Sequence, residues 1–275
     1  MRLQLALIAA VTAFTASAAQ AATIEIKDAV ARVTVVPEDR RDIKVEVVRP
    51  NSQLPLTVRT FGDKTIIDGD LEHRIHGCNG SGDHVRVRVR GVGEVNGSEM
   101  PQVVIHTPRD VSVRSNGAVQ GAIGRSASLD LHDSGCSAWT VADVAGEATI
   151  RESGAGSIRM GQSSRLDVQL SGAASIHATR VREDLDASLS GAGGVHIGDL
   201  SGAMQARVSG VGQIKVDGGK ATSVRASVSG VGGVEFNGVA DSLDASVSGM
   251  GNVQVRQVNG AVTKSVSGIG HVKIG

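Results

Sequence analysis

The stretch VSGVGQI, residues 208–214, returns as VSGVGGV at 228–234, VSGMGNV at 247–253 and VSGIGHV at 266–272. Counted from the serine of each Ser-Gly pair, successive copies lie 18 to 20 residues apart. Eight clear copies have their serines at Ser134, Ser153, Ser171, Ser190, Ser209, Ser229, Ser248 and Ser267. An imperfect first copy, SNGAV, begins at Ser115. A fixed period of this length is typical of a solenoid, whose units can bury an apolar face only by stacking.

Apolar and polar residues alternate on both sides of each Ser-Gly pair. One copy has Leu185, Ala187 and Leu189 before its serine, and another has Ile214 and Val216 after it. Alternation with a period of two predicts half-buried strands. A further apolar residue about ten positions after the serine predicts a third side, at Val144, Val181, Leu200, Val239 and Val258. We therefore predict an all-β protein, a parallel β-helix with coils of about 19 residues.

A glycine follows the serine in every clear copy, at Gly135, Gly154, Gly172, Gly191, Gly210, Gly230, Gly249 and Gly268. We interpret these glycines as corners that need a positive φ or a close approach of two backbones. The pattern superficially resembles a dinucleotide-binding loop, but such a loop opens a helix, and here a valine-rich strand follows. The next residue forms a row that grows from Cys136 to Ile269. If that row faces inward, the corner cavity widens along the axis.

The chain divides into three parts. Residues 1–21 have a basic start, an apolar run and an Ala-Gln-Ala end, as in a secretory signal peptide. Residues 22–113 form an N-terminal β region of early coils or a cap, and residues 114–275 form the repeats. No later segment is apolar over the roughly 20 residues of a transmembrane helix. We expect the chain after residue 21 to be exported from the cytoplasm.

Charge and composition restrict the partners. The 28 basic and 28 acidic residues balance, which argues against nucleic acid. No cofactor motif is present, so we expect no cofactor. In HVRVRVR, residues 84–90, the arginines Arg86, Arg88 and Arg90 share one face. This stripe is either a solvated strand face or a small basic site for anionic polysaccharide or lipid headgroups.

Asp133 and Glu152 are the most anomalous residues of the repeat. Later copies have Leu170, Leu189 or Val208 at this position, one residue before the serine. Glycoside-cleaving enzymes use paired carboxylates, so an enzyme hypothesis would begin with these two acids. Such acids usually lie beneath long loops, for which these corners leave no room. We therefore expect a local bulge that turns the two acids outward.

Histidines and cysteines provide the remaining candidates. His177 and His196 are expected to stack in neighbouring coils about 5 Å apart, in an otherwise ordinary exposed row. The group His73, His76, Cys78 and His84 matches no tetrahedral zinc spacing, so no metal site is predicted. Cys78 and Cys136 either pair in an oxidising compartment or remain a loop residue and a small apolar residue.

The SGxGxV units, together with PRDVSVRSNGAVQG at 108–121, resemble the head-GIN domain family, a bacterial family described as auto-transporter adhesin-like. This resemblance covers nearly the whole chain after the signal peptide. It implies a β-helical fold and a location in the cell envelope of a bacterium, in the periplasm or at the cell surface, and it carries no catalytic residues. We therefore expect a non-enzymatic, adhesin-like or scaffold protein that binds a surface polysaccharide or an envelope protein. One alternative is a carbohydrate-active β-helix enzyme, similar to a polysaccharide lyase or hydrolase. Another is a scaffold that associates end to end through its last coil.

Overall fold

The structure is a computed structural model that describes residues 22–81 and 84–275, with side chains described for all of these except 79–81 and 84. The predicted signal peptide, residues 1–21, lies outside the described residues. The described chain is all-β, and its parallel coils stack about 19 residues apart to form a solenoid of about nine turns. The predicted fold class is confirmed.

The N-terminal region contains eight strands and one short 3-10 helix, Glu72–Arg74. The strands are β1 (Thr23–Pro37), β2 (Lys44–Arg49), β3 (Thr57–Phe61), β4 (Lys64–Asp68), β5 (Ile75–Ser81), β6 (His84–Val89), β7 (Gly93–Asn96) and β8 (Gln102–Thr107). The solenoid continues with β9 (Asp110–Ile123), β10 (Ser128–Asp133), β11 (Cys136–Val141), β12 (Glu147–Glu152), β13 (Ala155–Ser163), β14 (Arg165–Leu170), β15 (Ala173–Val181) and β16 (Leu185–Leu189). It ends with β17 (Ala192–Val208), β18 (Val211–Val216), β19 (Gly219–Val228), β20 (Val231–Ala240), β21 (Leu243–Val247), β22 (Asn252–Val258), β23 (Val262–Val266) and β24 (His271–Ile274).

Each turn of the solenoid, here called a rung, places equivalent residues beside one another. Leu170 pairs with Leu189 and Leu189 with Val208, always in parallel. Residues at the same position in successive rungs therefore form a column along the axis. The alternating columns are buried, as the pattern predicts: Val195, Ile214 and Val234 are at most 2% exposed. On the third side Val144, Val181 and Leu200 are fully buried, whereas in a later rung Ala240 is buried and Val239 is half-buried.

Residues 22–113 contribute two kinds of structure. Strand β1 is a rung of the solenoid: it pairs in parallel with β9 on one side and with β4 and β8 on the other. Beyond it, β2 pairs antiparallel with β8, and β3 pairs antiparallel with β4. These two strands close the N-terminal end of the parallel stack, where an open edge would expose unpaired backbone groups.

A separate antiparallel sheet of β5, β6 and β7, here called the outer sheet, lies against the outside of the first rungs. Its valines Val85, Val87 and Val89 are buried in a second apolar cluster. The solenoid side of that cluster includes Val30 and Ala118. The outer sheet thus covers outward-facing positions that would otherwise be exposed.

Glycine occupies each of these bends because the backbones of neighbouring rungs come too close there for a side chain. A Cβ on Gly191 would overlap the carbonyl oxygen of Gly172 in the previous rung. Positive φ is not the reason, since none of the eight corner glycines has one. The row after these glycines faces outward, contrary to the inward orientation considered above: Val211 is 61% and Ile269 86% exposed. No corner cavity therefore widens along the axis.

Candidate functional site

The two anomalous acids lie next to each other inside the solenoid. Asp133 ends β10 and Glu152 ends β12, and the two residues pair in an unbroken parallel register. Their exposures are only 2% and 1%. The expected bulge that would turn them outward is therefore wrong. The strand alternation simply continues, and it directs both carboxyls into the column occupied by Leu170 in the next rung.

Two hydroxyls and one backbone amide bind this pair of acids. Ser115 Oγ and Ser137 Oγ donate to Asp133 Oδ1, the latter over 3.0 Å. Gly154 N donates to Glu152 Oε1 over 2.7 Å. Asp133 Oδ2 is buried and makes no hydrogen bond with any described residue. The Glu152 carboxyl lies beside Asp133, one rung further along the same column.

Burial decides the protonation of the pair. Loss of solvation, followed by the charge of Asp133, raises the pKa of Glu152 to about 9. Loss of solvation also raises the pKa of Asp133, and the hydrogen bonds from Ser115 and Ser137 partly oppose this. At neutral pH Glu152 is therefore protonated. The core thus holds a neutral carboxyl beside a second acid whose titration is coupled to it.

An open groove of about 450 Å³ runs over the outer side of the strands that carry these acids. The column that contains the two acids runs along the middle of this groove. One wall consists of the residues one position before that column, and the other of the residues one position after it. The first wall contains Arg114, His132, Arg151 and Gln169, and the second contains Ser134, Ser153 and Ser171. The acids themselves lie along its floor with their side chains buried. We call this feature the serine groove.

The serine groove continues along the next rungs. A second depression of about 260 Å³ is lined by Ser188, Ser190, Arg207, Ser209, Ser227 and Ser229, with Leu189 and Val208 at its floor. The same columns therefore form both depressions. Each rung contributes an exposed serine from the Ser-Gly pair, at Ser134, Ser153, Ser171, Ser190, Ser209, Ser229, Ser248 and Ser267.

Arginines provide the positive charge of the serine groove. Arg151 binds Asp130 over 3.4 Å and His132 over 2.6 Å. Arg207 binds Asp186 over 3.0 Å. Arg114 is exposed and makes no ion pair with any described residue. It is therefore the arginine of this groove most available to an anionic ligand.

The Arg86, Arg88 and Arg90 stripe lies on the outer sheet, away from the serine groove. Arg86 and Arg88 are exposed on β6 while the valines between them are buried. Arg90 follows the end of the strand, where its backbone N donates to Arg74 O. Glu94 of β7 lies opposite Arg88 and 3.9 Å from Arg86. The stripe is thus a solvated strand face with an acid beside it.

Two of the described histidines, His177 and His196, lie close together on the outside of the solenoid. His177 and His196 lie in neighbouring rungs with ring centroids 5.3 Å apart, as their spacing predicts. His196 Nε2 contacts Asp217 Oδ2 at 2.5 Å, and this hydrogen bond lowers the pKa of Asp217. Burial, together with the charges of His196 and Arg159, lowers the pKa of His177. Among the described residues no group of three or more His, Cys, Asp or Glu side chains is placed to hold a metal ion.

Cys78 and Cys136 form a disulfide, with Cα atoms 6.1 Å apart. It joins β5 of the outer sheet to β11 of the solenoid. Cys78 is therefore not a free thiolate that could act with His73 and His76 as a zinc ligand. The side chain of His84 lies outside the described residues.

A scan against protein-family models and searches of curated proteins and of solved structures found no match to this chain. The resemblance to the head-GIN domain family thus stays a prediction. Within residues 22–81 and 84–275, no helix has the length and apolar character that a membrane span requires.

Sequence reasoning missed two parts of this region. Ser115 and Ser137 were not recognised as partners of Asp133, because one lies a rung earlier and the other lies across the bend. The serine groove was also missed. Its signal was the Ser-x-Ser pattern around the inward residue, as in Ser188, Leu189 and Ser190, which places two hydroxyls on one face of a strand.

Proposed function

We propose that this protein is a non-enzymatic, exported β-solenoid that binds an extended polysaccharide of the bacterial envelope in the serine groove. One observation carries this proposal: the groove follows the solenoid axis and adds a serine hydroxyl in each rung. Hydroxyls both donate and accept, so they match the hydroxyls of a sugar chain. A groove without long loops over it suits a polymer better than a small, enclosed ligand.

The unpaired Arg114 favours a polymer that carries acidic groups. Guanidinium groups bind carboxylates through two parallel hydrogen bonds, which adds both strength and orientation. Arg151 and Arg207 already bind Asp130 and Asp186. An acidic sugar would therefore bind to Arg114, at the N-terminal end of the groove.

Binding is favoured over cleavage because of where the two acids point. Most glycoside-cleaving enzymes bring two carboxyls to the scissile bond. Asp133 and Glu152 instead have their side chains buried beneath the groove. A groove-bound sugar would therefore not reach this pair of carboxyls.

The test is binding of the exported protein to panels of acidic and neutral polysaccharides. Ser190→Phe should block the groove and reduce binding of its ligands, whereas Arg114→Glu should weaken the acidic ones selectively. Arg256→Glu is the matched control, because Arg256 is exposed on another side of the solenoid. Absence of binding to every panel member, or equal binding by wild type and Ser190→Phe, would refute the proposal.

The competing arginine stripe is tested in the same assay. If reversal of Arg86 and Arg88 abolishes binding while Ser190→Phe leaves it intact, the outer sheet is the binding surface. Recovery of the protein from the periplasm or the culture medium, with an N-terminus near Ala22, would support the proposed export.

A further inference from the structure

The column that follows the corner glycines forms an exposed apolar ridge along seven rungs. Its members are Ala155, Ala173, Ala192, Val211, Val231, Met250 and Ile269. All seven are exposed, and the four largest are exposed by 43% to 86%. With rungs roughly 4.8 Å apart, the ridge is on the order of 30 Å long. A continuous apolar row of this kind marks an interaction surface more often than bare solvent contact.

The same column is already an interface in the first rungs. There it contains Val30, Ala118 and Cys136, which are buried. The outer sheet covers them: Val30 and Ala118 share its apolar cluster, and Cys136 bonds to its Cys78. Strand β5 of the outer sheet also approaches β13, but Ala155 and the later members of the column are exposed. The chain therefore buries this column in its first three rungs and leaves seven later members exposed.

The sizes of the ridge residues change along the axis. The three residues nearest the N-terminus are alanines, the middle one is Val211, and the last two are Met250 and Ile269. If a second ridge runs in the opposite direction with Val211 at the centre, Ala155 meets Ile269, Ala173 meets Met250 and Ala192 meets Val231. Every small residue then faces a large one, so the ridge is complementary to itself.

A shallow groove runs beside the ridge. It is lined by Val211, Val231 and Met250 on the ridge side and by Glu235 and Gln254 on the other. In the column between these walls, Gly194 and Gly233 present no side chain and alternate with Gln213 and Asn252. A two-fold axis that reverses the solenoid direction places ridge against ridge and groove against groove, so the polar residues of both grooves would flank the apolar contact.

We propose that two copies of this chain associate side by side in antiparallel orientation through this ridge. A contact of this length, about three outward columns wide, would bury roughly 1,000 Å² in total, at the lower end for specific interfaces. The dimer should therefore be concentration-dependent. This inference does not rest on polysaccharide binding, because the serine groove lies on the other side of the corner glycines.

Sedimentation of protein purified after export, over a range of concentrations, is the first test. Wild type should shift from monomer to dimer, and Met250→Asp should remain monomeric with an unchanged melting temperature, since Met250 is exposed. Gln257→Asp, an exposed change on another side, should dimerise like wild type. A wild type that stays monomeric throughout, or a Met250→Asp variant that dimerises equally, overturns the proposal. If Met250→Asp dimerises as wild type does, the last rung becomes the next candidate for the contact between copies.

The antiparallel register has its own test with a short thiol cross-linker. Val211→Cys should cross-link to its own copy, because Val211 lies at the two-fold axis. Ala173→Cys and Met250→Cys should cross-link when mixed but not separately. Ser227→Cys, on the serine groove, is the control that should stay uncross-linked. A dimer in which neither predicted cross-link forms contradicts this arrangement.

Discussion

Glu152 stands one rung after Asp133 in a single inward column, at the position where the next rung has Leu170. Two carboxyls can share a core position only if one of them is protonated, because two adjacent buried charges would repel each other strongly. The pair therefore links the stability of the solenoid to pH.

Stability should fall as pH rises. The pKa of Glu152 rises from an ordinary 4.5 to about 9, so the folded chain holds a proton that the unfolded chain releases between these values. The free energy of unfolding must then decrease across this range. Since one pKa unit corresponds to about 1.4 kcal/mol, the loss is on the order of several kcal/mol.

Glu152→Gln should reduce this dependence, because an amide has nearly the same size and does not titrate. Melting temperatures from about pH 5 to about pH 9 measure the effect. At the upper end the variant should melt above wild type. Glu147→Gln, an exposed glutamate of the same strand, serves as the control and should follow the wild-type profile. Parallel profiles for wild type and Glu152→Gln would contradict the raised pKa of Glu152.

Gly191→Ala should destabilise the solenoid, because the added methyl group overlaps the carbonyl oxygen of Gly172 and neighbouring rungs must separate. Overpacking of this kind costs about 1–3 kcal/mol. Gly218→Ala is the matched control: its Cβ would meet no atom within 4 Å, so thermal unfolding should be almost unchanged. Equal melting temperatures for the two variants would show that close approach is not the reason for the corner glycines.

Removing the disulfide should loosen the outer sheet selectively. With Cys78→Ser and Cys136→Ser combined, the cluster of Val85, Val87 and Val89 remains but loses its covalent attachment to β11. A disulfide of this kind typically contributes about 2–4 kcal/mol. Hydrogen exchange should accelerate in residues 75–96 and stay unchanged from β14 onward. Uniform acceleration of hydrogen exchange along the whole chain would instead show that the disulfide stabilises the entire solenoid.

Phe236→Ala should leave a cavity in the core. Phe236 is fully buried in β20, at a position that is Val216 in the previous rung and Val255 in the next. Truncation of a buried phenylalanine costs about 3–5 kcal/mol. Phe236→Val, which restores the size found in both neighbouring rungs, should lose clearly less stability in denaturant unfolding. Equal losses would show that the core at this position does not depend on side-chain volume.

The repeat was predictable because its signal is local and recurs. The inward positions of Leu189 and Ile214 follow from alternation within one strand on each side of the bend. Alternation could not assign the row from Cys136 to Ile269, because the bend at the glycine restarts the pattern with an unknown phase. The structure shows that residues on both sides of the glycine face outward.

The two acids illustrate a different limit. A hydrophobicity pattern treats a carboxyl as an outward residue, and only the hydroxyls of Ser115 and Ser137 make burial acceptable. These hydroxyls belong to a neighbouring rung and to the far side of the bend. The outer sheet was equally hidden: HVRVRVR predicted a strand with one apolar face, but not which surface that face would cover.

The acid pair also makes one stacking order different from all others. Rungs with nearly the same sequence could stack out of order at little loss, and a slipped rung would still bury valines and leucines. Any slip that separated Asp133 from Glu152 would bury each carboxyl against aliphatic neighbours, away from the hydroxyls of Ser115 and Ser137. We therefore expect the acid pair to fix the register in which the near-identical rungs stack during folding.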